Sequence, residues 1–395
     1  MNGFEETALG LFEERFSGGA ELFFAPGRVN LIGEHVDYNG GRVLPCSLSL
    51  GTYAAAAREE GVIRLASADM PGEEVRLALS ELASLPLEPA AFARFGWAAY
   101  PLGVAAQLIR AGYSFGGFSM AVCGSLPRGS GLSSSASLEV LTCAVVSGLY
   151  GLGLDGVTAS KLSLAAEREC AGVNCGIMDQ FVCALGRKDC ALLLDTHTLE
   201  HGYFPFDLGE NVLLIMNTKK PRRLADSKYN ERRAECELAL RLINERLEAG
   251  FPSLCAVTPE ALAEAKDALP PAVFRRARHA VTENARTLAA AEALGVGDAA
   301  LFGSLLSASH ASLRDDYEVT GRELDSIVRA AEEQEGVLGA RMTGAGFGGC
   351  AIALCRKNAA GEAVRRITAV YKAETGLDCE IYVAETGDSP FGRAL

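Results

Sequence analysis

Short apolar runs bounded by glycine alternate with longer segments whose apolar positions recur every three to four residues. Leu22-Phe23-Phe24 reads as a buried strand, Val43-Leu44-Pro45 opens another, and Phe118-Ser119-Met120-Ala121-Val122 alternates as a strand does. Asn39-Gly40-Gly41 between the first two is a tight-turn signal, because glycine takes φ > 0 at no steric cost. Helical patterning is predicted over residues 1–16, 135–149, 157–171 and 178–185, and residues 191–194 and 212–216 have strand length. Helices dominate the rest, over 230–248, 259–268, 271–294, 299–317 and 321–333. Strands at 350–354 and 380–383 flank a last helix over 359–374. The pattern predicts an α+β chain of two domains, residues 1–205 and 206–395. No repeat or low-complexity linker separates them, so tight packing around a cleft is expected.

Length agrees with two domains, since 395 residues exceed what one core ordinarily organises. Hydrophobic residues at 49% and charged residues at 22% mark a globular rather than a disordered chain. A formal charge of −13 repels nucleic acid and anionic membrane, so neither is an expected partner. A polyanion such as ATP must then be met by local arginines, backbone amides or a metal. The acidic start (Glu5, Glu6, Glu13, Glu14) is expected to be no signal peptide, having neither a basic nor an apolar region. The most apolar stretch, 136–154, is interrupted by Glu139, Gly148, Gly151 and Gly153, as a buried helix and turn would be. Twelve cysteines lie scattered among apolar neighbours with no C-x-x-C pair, and read as buried thiols in a reducing cytoplasm. Five dispersed histidines argue against zinc.

Five segments carry candidate chemistry. The run from Ala25 to Gly41 sets Arg28, Glu34, His35, Asp37 and Asn39 among Val29, Leu31 and Ile32, which points to a half-buried polar pocket over a solvated hairpin loop. Leu126-Pro127-Arg128-Gly129-Ser130-Gly131-Leu132-Ser133-Ser134-Ser135 leads into a helix whose first amides would attract an anion. A lone capping serine would explain such a turn, but three serines after G-x-G exceed what a cap requires. The segment lacks the lysine of a Walker A loop. Asp179, after Gly176 and beside Ile177, Met178 and Phe181, either caps a helix or is a carboxylate held ionised by its dipole. Arg341-Met342-Thr343-Gly344-Ala345-Gly346-Phe347-Gly348-Gly349-Cys350 contains a match to G-x-G-x-x-G, yet a strand follows it where a dinucleotide fold needs a helix. It reads as a glycine loop closing on another backbone. Ser227-Lys228-Tyr229-Asn230 opens a helix near the domain junction, with Tyr229 either packing or lining the cleft.

In order and spacing these segments, spanning residues 25–349, resemble the galactokinase pattern within the galactokinase–homoserine kinase–mevalonate kinase–phosphomevalonate kinase superfamily. The first segment is specific to galactokinases, whereas the two glycine-rich loops are superfamily-wide. Val36 departs from the threonine often found there. The resemblance implies an N-terminal domain like the second domain of ribosomal protein S5, a ferredoxin-like C-terminal domain, and an active site between them. It implies a galactokinase that converts galactose and MgATP to galactose 1-phosphate and ADP. Glu34, His35, Val36, Asp37, Gly176 and Tyr229 would bind the sugar. Gly129, Ser130, Gly131, Leu132, Ser133, Ser134 and Ser135 would wrap the ATP phosphates, with Ser67 near the nucleotide. Ser135 and Glu167 would hold Mg²⁺, and Asp179 would face the C1 hydroxyl with Arg28 beside it. The same scaffold would serve an N-acetylgalactosamine kinase, or a non-catalytic galactose and ATP sensor; the unbroken Ser/Gly loop and the presence of Asp179 speak against the sensor.

Overall fold

The computed structural model describes residues 2–127, 130–220 and 225–392, the last from Lys228 onward with side chains. It opens on the helix Gly3–Arg15, started by a capping box in which Asn2 accepts from the Phe4 and Glu5 amides while Glu5 accepts from the Asn2 amide. A five-stranded sheet follows in the order β1-β3-β6-β4-β5, formed by β1 (Glu21–Asn30), β3 (Pro45–Arg58), β4 (Val62–Ser67), β5 (Glu74–Ala78) and β6 (Phe118–Gly124). Its pairs are antiparallel except β4 with β6. The period-2 geometry of a strand sorts its residues between two cores. Ala54, Ala56, Ile63, Leu65, Met120 and Val122 face the helices Ala99–Arg110 and Ser134–Tyr150. Tyr53, Ala55, Ala66, Ala121 and Cys123 face Ala8, Phe12 and Phe16 of the first helix and its end.

A second sheet is wholly antiparallel, in the order β10-β11-β9-β12, from β9 (Asn211–Asn217), β10 (Val337–Thr343), β11 (Cys350–Arg356) and β12 (Glu380–Val383). One face carries Leu214, Met216, Met342 and Ala353 against the C-terminal helices. The other carries Leu213, Ile215, Ile352 and Leu354 into a cluster with Val29, Leu31, Ile32 and Leu44 from the first half and Ala290, Leu294 and Phe302 from the second. This shared apolar cluster is why no linker is needed. A small antiparallel sheet is formed by β2 (Arg42–Val43), β7 (Cys190–Asp195) and β8 (His201–Pro205). The tail returns to the first half, where the Gly387, Ser389 and Phe391 amides donate to Ser47, Gly186 and Ala184.

The class is α+β, as the patterning predicts. Several bounds differ. The first two strands are not a simple hairpin, because Val43 pairs in a different sheet from β1 and the turn between them is a 3-10 turn, Asp37–Asn39, closed by Gly40 at φ 68°. The 157–171 and 299–317 helices end instead as α-helix at Ala166 and Ser312, each followed by a wider π turn, Glu167–Ala171 and Leu313–Tyr317. The 259–268 helix is broken into Pro259–Glu264 and Lys266–Ala268. Arg341, Met342 and Thr343 close strand β10 rather than opening a loop.

Candidate active site

β1 delivers Arg28 to a cavity of about 350 Å³ that is also lined by Glu34, His35, Asp37, Glu167, Gly176, Asp179, Tyr229 and Gly344. Arg28 is 4% exposed and grips Asp179 in a fork, Nε to Oδ1 at 2.8 Å and Nη2 to Oδ2 at 2.9 Å. Its remaining Nη1 donates to the Gly131 carbonyl at 2.7 Å, so one guanidinium joins the carboxylate to the Gly/Ser loop. Burial would lower the Arg28 pKa, but the charges of Asp179 and Glu34 raise it above the ordinary value.

Asp179 is the second residue of the helix Met178–Leu185, and no side chain caps that helix. Its carboxylate instead takes a third bond, from the Ser133 hydroxyl at 2.6 Å. Ser133 therefore caps nothing either. It sits at φ 63° before the helix Ser134–Tyr150, whose start lacks a side-chain cap, leaving first-turn amides that an anion can satisfy. Ser134 is exposed there, while Ser130 and Leu132 are buried; Leu132 packs in the shared core and its carbonyl accepts from the Arg28 amide. Gly129 lies outside the described residues.

The Ser135 hydroxyl donates to Glu167 Oε1 at 2.8 Å. Glu167 is 5% exposed, and burial first, then the neighbouring charge of Asp179, pushes its carboxyl upward. Behind it lies Glu139, fully buried and pushed up more strongly by burial and by Glu167, with the Gln180 amide between the two. This corner gathers acids: Glu139, Glu167 and, beside them, Asp179. A hydroxyl and a carboxylate are hard oxygen donors of the kind Mg²⁺ accepts, so the residues fit that ion. Among the described residues no group of three His, Cys, Asp or Glu forms a cage for a metal.

On the opposite wall, Glu34 Oε1 accepts from the Gly344 amide at 2.8 Å and lies 3.2 Å from Nη2 of the fully buried Arg341. His35 bonds Tyr38 through Nδ1 at 2.8 Å, leaving Nε2 without a hydrogen bond of good geometry. Burial first, then His279, pushes its pKa down to about 3, so the imidazole is neutral. Asp37 presses against Gly176, where a Cβ would overlap its carboxylate and force it aside. Burial, followed by the charges of Asp179 and Glu34, raises Asp37 to about 7. Tyr229 lines the cavity, its ring 5.5 Å from that of His35. Val36 does not: its side chain is buried with Val43, Met178 and Phe181, and its carbonyl accepts from the Asn39 and Gly41 amides. A valine suits that apolar setting. Ser67 lies apart from this group, in a second cavity of about 260 Å³ with Trp97, Tyr100, Ser134 and Ser135. The start of the 134–150 helix thus stands between two cavities, one polar and one partly aromatic.

A family profile described as the galactokinase galactose-binding signature matches residues 10–58. The N-terminal and C-terminal GHMP kinase profiles match residues 99–187 and 290–373. The galactokinase of Lactiplantibacillus plantarum is 45% identical, over 96% of this chain and 97% of that protein. The galactokinase of Clostridium tetani is 46% identical over 95% and 94%. The chain belongs to the galactokinase family. It superposes on the Lactococcus lactis galactokinase complexed with galactose with a TM-score of 0.91 at 41% identity, covering 97% of this chain and 98% of that one. The Methanococcus jannaschii mevalonate kinase, at TM-score 0.67 and 21% identity over 94% of this chain, shares the fold. Among the described residues no helix is long and apolar enough to cross a membrane.

Sequence reading missed several residues around the site. Trp97, with a buried and unpartnered Nε1, is the chain's one tryptophan, and that alone was a signal. Arg276, His279, Glu283 and Thr287 recur at helical spacing through the helix Pro271–Gly295 and are all buried. A polar stripe on a buried helical face marks partners elsewhere.

Proposed function

We propose that this chain transfers the γ-phosphoryl group of ATP to the C1 hydroxyl of α-D-galactose, yielding galactose 1-phosphate and ADP. The observation that carries the proposal is the Arg28–Asp179 fork, tied through Ser133 and Gly131 to the start of the 134–150 helix. A carboxylate beside an uncapped helix start, at the edge of a cavity of a size usual for small-molecule sites, supports the reading of a proton acceptor next to an anion site.

In this reading Glu34, His35, Asp37, Gly176 and Tyr229 surround the sugar and hydrogen-bond its hydroxyls. Asp179 accepts the C1 hydroxyl proton as that oxygen attacks the γ-phosphorus and ADP leaves. Arg28 holds the carboxylate in line and faces the charge developing on the transferred group. The loop from Gly129 to Ser135 wraps the phosphates, and the cavity of Ser67 and Trp97 takes the nucleotide base. Ser135 and Glu167 hold Mg²⁺, which when bound neutralises charge on the phosphates. We assign residues 1–205 and 206–395 to two domains, and the reaction to the cytoplasm, where galactose and ATP are the small-molecule partners.

The test is ADP release measured with galactose, glucose, N-acetylgalactosamine and mevalonate, with the product identified by ³¹P and ¹³C NMR. Turnover dominated by galactose, with phosphate on C1, is expected. Faster turnover of N-acetylgalactosamine, or ATP hydrolysis without sugar phosphate, would overturn the assignment.

A further inference from the structure

His279 and Glu283 stand one turn apart on the helix Pro271–Gly295, and both are 0% exposed. Glu283 Oε1 accepts from the Gly33 amide at 3.1 Å, the Glu34 amide at 3.3 Å and the Ser309 hydroxyl at 2.6 Å; Oε2 accepts from Arg286 at 2.8 Å. His279 Nε2 lies 3.0 Å from the Glu34 carbonyl oxygen. A carbonyl only accepts, so Nε2 carries the hydrogen and Nδ1 turns to the Ser312 hydroxyl at 2.9 Å. One helix, some 250 residues away in sequence, thus holds both backbone polar groups of Glu34. Its carboxylate is held separately, by Gly344 and Arg341.

The backbone there needs holding. Gly33 is at φ 96° and His35 at φ 60°, so left-handed conformations flank Glu34 on both sides. Such a conformation is uncommon for any residue but glycine, although histidine adopts it more readily than most, and it persists where surrounding contacts over-determine it. His35 and Asp37 follow directly and face the polar cavity.

We propose that His279 and Glu283 are positioning residues for the sugar site: by gripping the two ends of the Glu34 peptide they set where His35 and Asp37 stand against the sugar hydroxyls. The inference rests on the reading that this turn binds the sugar. The grip has a constant charge through the neutral range. Burial pushes His279 down to about 4, and although burial opposes it, Arg286, His279 and Arg341 together hold Glu283 at about 2.

The experiment compares Glu283→Ala with Glu283→Gln. Glutamine keeps an oxygen acceptor for the two amides and gives up the bond to Arg286. Leaving two buried amides unpaired is expected to raise the galactose KM of the alanine variant by ~10- to 100-fold. Its ATP KM should stay within about twofold and its kcat within about threefold, and preference for galactose over glucose should fall by ~10-fold or more. Glutamine should recover most of the loss. An unchanged galactose KM, an equal rise in both KM values, or a glutamine variant as impaired as alanine would overturn the proposal. Should alanine prevent folding, hydrogen exchange in the unaltered protein decides. The Gly33 and Glu34 amides should exchange only with global opening, and exchange as fast as exposed turn amides would refute the grip. Asp37→Ala separates the layers: a normal galactose KM in Glu283→Ala with a raised one in Asp37→Ala sinks the positioning role and leaves the site intact, while normal values in both sink the site.

Discussion

Asp179→Asn is the sharpest perturbation of the reaction centre, because it changes charge and hydrogen bonding with almost no change in shape. The aspartate accepts three hydrogen bonds, two from Arg28 at 2.8 and 2.9 Å and one from Ser133 at 2.6 Å. Asparagine offers one oxygen and one NH₂, so whichever way it turns, an Arg28 donor or the Ser133 hydroxyl meets a nitrogen that no longer attracts it. Loss of the proton acceptor is worth ~10²–10⁴ in rate. Loosening Arg28 removes a hydrogen bond between charged groups, about 1.5–3 kcal/mol, or ~10- to 100-fold if all of it is felt in the transition state. The two effects overlap in one unit and do not multiply. We therefore expect kcat to fall ~10³-fold or more while the galactose dissociation constant moves less than ~5-fold, since Glu34, His35 and Asp37 are untouched. Coupled ADP-release kinetics give the first number and isothermal titration calorimetry the second. In Arg28→Gln combined with Asp179→Asn, the loss should be near that of the worse single variant. A kcat within tenfold of the unaltered enzyme, or losses that multiply in the double variant, would refute the reasoning.

Glu167→Ala should raise the Mg²⁺ concentration needed for half-maximal rate by ~10-fold or more and leave galactose affinity near normal, because the change falls on the phosphate side; an ordinary Mg²⁺ titration would contradict it. Asp37→Ala should raise the galactose KM well beyond the ATP KM, by ~10-fold or more, as steady-state kinetics with each substrate varied would show. Asp37 also predicts a pH dependence. With its carboxyl at about 7 before sugar binds, sugar hydroxyls that donate to it favour the ionised form, so binding releases protons and affinity is full above pH 7 and weakens as pH falls below it. Calorimetry in buffers of different ionisation enthalpy should detect that release near pH 6 and lose it in Asp37→Asn; an affinity independent of pH would exclude the effect.

How much of this was legible beforehand depends on the residue. The Arg28, Asp179 and Gly/Ser segments each stood out, yet residue types and spacing could not pair Arg28 with Asp179 across 151 positions; that expectation came from the family likeness. A strand opening at Val43 to Pro45 was legible but the length of β3 was not, because Ala54 to Ala57 give no polar–apolar alternation when both sheet faces are buried against close-packed layers. The helix Ala99–Arg110 was obscured by Pro101 and Gly103, although proline is tolerated in a first turn and Gly103 lets Cys170 approach closely. The π turn at Glu167 continues a helical pattern in sequence while re-aiming the carboxylate in space. Ser133 reads in sequence as one of the serines that would wrap the phosphates, and only the structure sends its hydroxyl to Asp179.

The central claim is that the sugar lies with its C1 hydroxyl between Asp179 and the nucleotide phosphates. A crystal structure with galactose, Mg²⁺ and a non-hydrolysable ATP analogue tests it most directly. The C1 hydroxyl is expected within hydrogen-bonding distance of the Asp179 carboxylate and in line with the γ-phosphorus, with the phosphates on the amides that open the 134–150 helix. A sugar seated with C1 turned away from Asp179, or a nucleotide bound elsewhere than that helix start, would contradict it.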